Sequence, residues 1–408
     1  MRATTLALGA FFTVVQFYTS LAALSPTPPV GFVFASPSVA LVLVAILVAA
    51  TLWSLVRLLP EHARLDATST AICAAWVGSA ALSAVLGVDP TSSLQVVGMM
   101  VMAAIFHLAF VRFAREPGVV RGVIGAYIAV GTTATLAALV MFAFHRPAAL
   151  WALNNGRAAG FFVTANEFAA FLIAFVFVAS GVALGRRGIA RTAGLAAVAI
   201  GCAALAATVS VAGWVGAAVG AIFFALALGA RRVAILVAIV IVVGGAVFAI
   251  RPAARHNPAE SFDRLRIWRS GLRVAELFPL TGVGPMGYFR IYPAIRPLNA
   301  DLPGTFGALH PHDAYLSLAG ETGAVGLVAF GYGWWRFART MRSRLRACAK
   351  PDRVLGLGIC AALVAVLVQG IFDTIGVVEM AFVWIPFSAL ALGCVAPHAR
   401  SATATVAS

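Results

Sequence analysis

Charge is scarce in this sequence: Asp, Glu, Lys and Arg make up only 11% of its 408 residues. Soluble domains carry about 25%. With 62% hydrophobic residues and a mean hydropathy of +0.98, the composition excludes a water-soluble protein. It predicts an all-α polytopic membrane protein instead. Lysine is confined to Lys350, so the cationic residues are almost all arginine. A polar region long enough to fold alone is also missing, and residues 1–408 therefore read as one integral membrane domain. The five cysteines do not pair at metal-ligand spacing: Cys73, Cys202, Cys360 and Cys394 fall in apolar segments and Cys348 in a basic loop. They read as small core residues, neither disulfides nor ligands. Internal repeats are not evident.

What is present is a series of apolar runs long enough to cross a bilayer. About twelve spans are expected, near residues 5–24, 38–59, 68–87, 93–114, 121–144, 161–184, 192–209, 213–230, 232–250, 313–335, 354–374 and 376–395. The first could pass for a signal peptide, but a spanning helix is the preferred reading. The net charge of +15 is large enough to evoke nucleic acid, yet its placement argues against that partner. Alternate connections carry Arg57 and Arg64, then Arg112, Arg115 and Arg121, then Arg186, Arg187 and Arg191, then Arg231 and Arg232, then the run from Arg336 to Arg353. The short loops of the other side hold only Arg146 and Arg157. The positive-inside rule then puts both termini in the cytoplasm.

One long outward loop, 251–312, between the ninth and tenth spans, breaks that pattern with eight arginines against four acids. Within it, 261–278 places Leu265, Trp268, Leu272 and Ala275 at helical spacing, with Arg264, Arg266, Arg269 and Arg273 around the rest. This predicts an amphipathic helix at the membrane surface, with Ser261 as its cap and membrane lipids as neighbours. A turn-rich link with Pro279, Gly282, Gly284, Pro285 and Gly287 follows.

The loop ends in His310-Pro-His312-Asp313-Ala-Tyr315, which runs into an apolar helix carrying Glu321 and the glycines Gly320, Gly323 and Gly326. A histidine titrates near neutrality and can take a proton from an attacking hydroxyl. A metal is disfavoured, because no further ligands accompany His310 and His312. Asp313 can orient a ring or simply cap the helix. Clustered arginines suit phosphate, since the guanidinium fork binds its oxygens in pairs. Upstream, Arg157 precedes a span that contains Asn166 and Glu167, and polar groups there tend to face a bundle interior. Asp373 and Glu379 bracket the last outer turn and read as outward loop charges.

Three blocks together resemble the O-antigen ligase and O-antigen polymerase superfamily of bacterial envelope enzymes. The first is Arg264-x-x-x-Trp268 with Phe278-Pro-Leu-Thr-Gly-Val-Gly284, Phe289 and Tyr292. The second is Pro311-His-Asp-Ala-Tyr-Leu316 with Glu321-x-Gly323-x-x-Gly326-Leu327. The third is Gly156-Arg157 with Gly160 and Asn166. The resemblance implies inverting glycosyl transfer at the outer face of the inner membrane, without a metal or other cofactor. The donor would be a glycan on undecaprenyl diphosphate, and the acceptor a glycolipid such as lipid A core, or another glycan. His312 would be the base, with Arg264 and Arg157 on the diphosphate. Arg266, Arg269, His310, Asp313, Tyr315, Glu321 and Asn166 complete the candidate binding set. The chain departs from the family in three places. Asp313 stands where Asn is usual, and Ala165 where Pro usually precedes the asparagine. Val211 and Ala212 follow Ser210 where the family has an arginine. Ligase and polymerase share these motifs. A transporter is the rival from another class, but it would show matched halves with broken helices.

Overall fold

The computed structural model describes residues 2–17, 37–59, 65–231, 258–295, 310–373 and 377–396. It is a helical membrane protein, with no strand among the described residues. The helices are α1 (Arg2–Val15), α2 (Pro37–Leu58), α3 (Ala67–Leu86), α4 (Pro90–Phe113), α5 (Val119–Ala143), α6 (Ala148–Leu153), α7 (Ala165–Gly185), α8 (Ile189–Thr208), α9 (Val211–Ala227), α10 (Pro258–Leu277), α11 (Gly287–Ile295), α12 (Ala314–Ala347) and α13 (Lys350–Gln369). A last segment joins Val377–Glu379, a π turn Met380–Trp384 and α14 (Ile385–Cys394). Eight of these, α2 to α5, α7, α8, α12 and α13, are long and apolar enough to cross a membrane. α1, α9 and the Met380–Cys394 segment are shorter apolar helices. Eleven of the expected spans thus have a helical counterpart, and the twelfth, 232–250, lies outside the described residues.

Polar caps set where several helices begin. Asp66 accepts from Ser69 N at 2.9 Å, and Asp89, followed by Pro90, accepts from Ser92 N at 3.2 Å. Thr164 and Glu167 form a reciprocal capping box at α7. Glu167 therefore stands in the first turn of its helix, where a carboxylate also complements the helix dipole. The core is built around α7, which packs between α13 and α8, while α9 packs on α13. Without a hydrophobic drive between helices in lipid, close approach of small residues holds such pairs. Gly358 on α13 lies against Gly181 on α7 in this way. A second layer places α4 between α3 and α14, and α12 on α3.

Two expectations are corrected. Ser261 lies inside α10, not at its cap, because the helix already begins at Pro258, a residue suited to a helix's first turn. Gly287 opens a further helix, α11, tied to α4 by Arg290 Nε on Asp89 Oδ2 at 2.8 Å.

The glycines of α12 do more than pack. Gly323 is non-helical (φ 60°, ψ −159°), a conformation that penalises any residue with a Cβ. The kink frees the carbonyls of Gly320 and Glu321, which accept from Val283 N and Gly284 N at 2.9 Å each. Beyond the kink, Ala324 N and Val325 N donate to Pro279 O and Leu280 O. Gly282 (φ 67°) lies so close to the Glu321 carbonyl that a side chain could not fit. The 279–285 link is thus sewn into a broken helix. This satisfies backbone groups that lipid cannot.

Candidate functional site

The starts of α7 and α12, the ends of α8 and α13 and the middle of α10 converge on one face of the bundle. Asp313 begins α12 by accepting from Tyr315 N and Leu316 N, both at 2.8 Å. Its carboxyl is pushed up by burial, with those two N–H groups pulling the other way. Of the two roles open to it in the sequence, capping is the one it performs. Just before the cap, His312 adopts φ 50°, the left-handed region that side chains avoid. Such strain persists only where surroundings enforce it, and it gathers at functional sites. Here Trp268 Nε1 donates to the His312 carbonyl at 3.3 Å, Gly271 of α10 abuts Pro311, and Ala314 N is held by Gly370 O at 2.7 Å.

The His312 ring is half-buried, and its Nδ1 faces Asp373 Oδ1 at 3.7 Å. His310 stacks edge-on against His312 with ring centroids 4.3 Å apart. Desolvation pushes the His310 imidazole down to about 3, and His312 pushes the same way against the pull of Asp373. His310 is therefore neutral at physiological pH and does not compete for a proton there.

A second group assembles around Asn166. Arg157 Nε donates to Thr208 O at 2.8 Å, and its Nη2 donates to Asn166 Oδ1 at 2.7 Å. Ser210, the cap of α9, donates to the same oxygen at 2.8 Å. Gln369 Nε2 donates to the Asn166 backbone oxygen at 2.9 Å. Arg157 is thereby fixed beside the Ser210 turn, where the chain itself has Val211 and Ala212. The residue before that turn, Val209, is itself in the left-handed region at φ 49°.

A cavity joins the two groups. Asn166, Glu167, Gln369, Asp373 and Glu379 line it together with Gln16. Asp373 thus touches both the histidine and the cavity. This corrects the reading of Asp373 and Glu379 as outward loop charges: both face inward, because α13 and the last helical segment pack against α7 and α4. Gln369 was missed altogether, since a lone glutamine in an apolar run carries no motif. Its one signal was depth, as a polar group inside a span needs a partner.

The remaining candidates lie elsewhere. Glu321 is buried under the 279–286 link and accepts from Met286 N at 3.2 Å. It is not in the cavity wall. Tyr315 donates its hydroxyl to Leu367 O at 2.9 Å, bolting α12 to α13. Arg266 is half-buried and Arg269 exposed on α10, whose Leu265, Leu272 and Leu277 are also exposed. Arg264 is one turn before Trp268 in the same helix, with its side chain outside the described residues. Among the described residues, no three His, Cys, Asp or Glu side chains are grouped to hold a metal ion.

No curated protein matches the chain. Residues 195–331, however, match the family model described as O-antigen ligase. The matched stretch includes the Ser210 turn, α10, the 279–285 link, His312 and the kink at Gly323, while Arg157 and Asn166 lie before it. The match falls on the loop and helix that carry the sequence motifs, so over these residues the chain is similar to that family.

Proposed function

We propose that the chain is a membrane glycosyltransferase of the ligase type, working at the outer face of the bacterial inner membrane. It moves a glycan from undecaprenyl diphosphate to a hydroxyl of a glycolipid acceptor. The hydroxyl oxygen attacks the anomeric carbon from the face opposite the diphosphate, so the configuration inverts. The bond from that carbon to the diphosphate oxygen breaks, and the diphosphate leaves with the electron pair. His312 Nε2 takes the hydroxyl proton, and Asp373 holds the ring and offsets the positive charge it gains. Fixed positive charge must meet the departing diphosphate. Arg157, held beside Ser210, supplies it from the position that the sequence leaves without its own arginine, and Arg264, Arg266 and Arg269 of α10 are assigned the same role.

The observation that carries this reading is the strained His312 facing Asp373, a carboxylate that lines the same cavity as Asn166, the anchor of Arg157. The test is complementation of a deletion strain. Wild type should restore the glycan, and His312→Ala should not, at equal membrane abundance. Wild-type glycan from the His312 variant would overturn the base assignment. The deletion phenotype also separates the two family activities. Bare acceptor with long lipid-linked glycan fits a ligase; acceptor carrying only single repeat units fits a polymerase.

A further inference from the structure

The short stretch 369–373, at the end of α13, touches both groups of the site. Gln369 Nε2 donates to the Asn166 backbone oxygen at 2.9 Å, and Asn166 Oδ1 in turn holds Arg157. Gly370 O accepts from Ala314 N at 2.7 Å, two positions after His312. One turn after Gln369, Asp373 faces the His312 ring. Gln369 and Asp373 line the same cavity as Asn166 and Glu167. In the reaction proposed above, the arginine and the base act on opposite sides of one anomeric carbon. A misplacement of about 1 Å between such groups can cost roughly 10²-fold in rate. Whatever fixes this stretch therefore bears on turnover without touching substrate.

The bond to Asn166 orients the Gln369 amide. The Asn166 backbone oxygen only accepts, so Nε2 faces it and Oε1 is the other atom. Gln369 is 1% exposed, and its Oε1 has no donor among the described residues. A buried carbonyl in that state costs about 1–3 kcal/mol. Asn166 is oriented in the same way. Its Oδ1 takes the Arg157 donor, so the remaining atom, Nδ2, is a donor. Glu167 adds a carboxyl to the wall. Asp373 and Glu379 are engaged by other groups and are not needed as further partners. The space between these residues is about 30 Å³, room for roughly one or two waters. A buried water asks for about two to four polar partners, and Asn166, Gln369 and Glu167 can supply them. A metal ion fits less well, since no three His, Cys, Asp or Glu side chains are grouped to hold one among the described residues.

We propose that the cavity holds a buried water, accepting from Asn166 Nδ2 and donating to Gln369 Oε1 and Glu167. Gln369, bonded to Asn166 and to this water, is then a positioning residue that keeps Arg157 and His312 in register. The effect on turnover rests on the transferase reading; the water does not.

Thermal unfolding of the purified full-length protein in detergent reads the water without any substrate. Ala170 of α7 lines the cavity, so Ala170→Val fills the space a water would take. Filling a dry cavity commonly stabilises. Displacing a water strips Gln369 Oε1 of its donor instead, and the melting temperature should fall. Gln369→Leu removes that carbonyl, so Ala170→Val should lower the melting temperature less in this background than in wild type. Crowding alone would act equally in both. An equal shift in the two backgrounds, or a rise in wild type, would overturn the water. So would a stabilisation by sodium ion, at constant ionic strength, that Gln369→Leu abolishes, since a cation would then occupy the site. Release of undecaprenyl diphosphate reads the positioning role. Gln369→Leu should lower kcat roughly tenfold or more with KM little changed. In an Arg157→Ala background the same substitution should cost less, because the arginine it helps to hold is already gone. Unchanged kcat, or full additivity with Arg157→Ala, would overturn the positioning role. If wild type releases no undecaprenyl diphosphate, the transferase reading and the positioning role fall together, and the melting comparison still decides the water.

Discussion

At one end of the bundle two ion pairs tie helices together. Arg344 of α12 pairs with Asp66 and donates to Leu392 O at 3.1 Å, while Asp66 also caps α3. Arg186 meets Asp352 at 2.8 Å. At the other end one buried polar atom, Gln369 Oε1, has no donor among the described residues. Val209, Met286 and His312 all hold left-handed backbone there. Both ends place polar groups at a membrane edge, so polarity alone does not mark function. What distinguishes them is enforced backbone strain, which gathers at functional sites.

The largest expected contrast is between His312 and Arg344. His312→Ala should cut transfer by roughly 10²–10⁴, the usual worth of a positioned base, without lowering the melting temperature. Arg344→Ala should do the reverse, since removing one partner of a half-buried pair costs up to about 3–5 kcal/mol of stability. Measuring turnover and thermal unfolding on both variants decides it. Equal turnover losses in the two would erase the contrast between the ends.

Arg157 comes next. Arg157→Ala should reduce turnover by about 10²-fold, in line with loss of one charge-stabilising donor. Arg157→Lys should not rescue it, because the present geometry uses the planar fork on Thr208 O and Asn166 Oδ1 together. Full rescue by lysine would reduce the residue to a point charge.

The spans were legible because lipid demands about 20 apolar residues per crossing. The amphipathic α10 was legible from helical spacing of Leu265, Trp268 and Leu272. The kink at Gly323 was not, because a glycine ladder in a span reads as helix packing and the partner link is 40 residues upstream. Asp373 was underread for a related reason. It is 61 residues after His312, and only the packing of α12 on α13, through Ala314 N to Gly370 O, brings them together. Arg157 was named from the resemblance alone, and its anchors on Thr208 and Asn166 depend on how α7, α8 and α9 meet.

A smaller effect should come from pH. His310 has its folded-state value lowered to about 3, so the unfolded chain binds the proton first as pH falls from about 6.5. Stability should therefore decline with falling pH between those values, and His310→Asn should flatten that decline in thermal unfolding. The smallest effect belongs to Arg186→Ala. Its half-exposed ion pair with Asp352 contributes about 1 kcal/mol at most, and turnover should be unchanged.

The central claim is that the strained end of the bundle performs glycosyl transfer with His312 as the base. Its most direct measurement is the release of undecaprenyl diphosphate from a lipid-linked glycan by the purified full-length protein with acceptor present. The account predicts one undecaprenyl diphosphate released per glycan transferred by the wild type, and release near background by His312→Ala. Release by the His312 variant at the wild-type rate would contradict it.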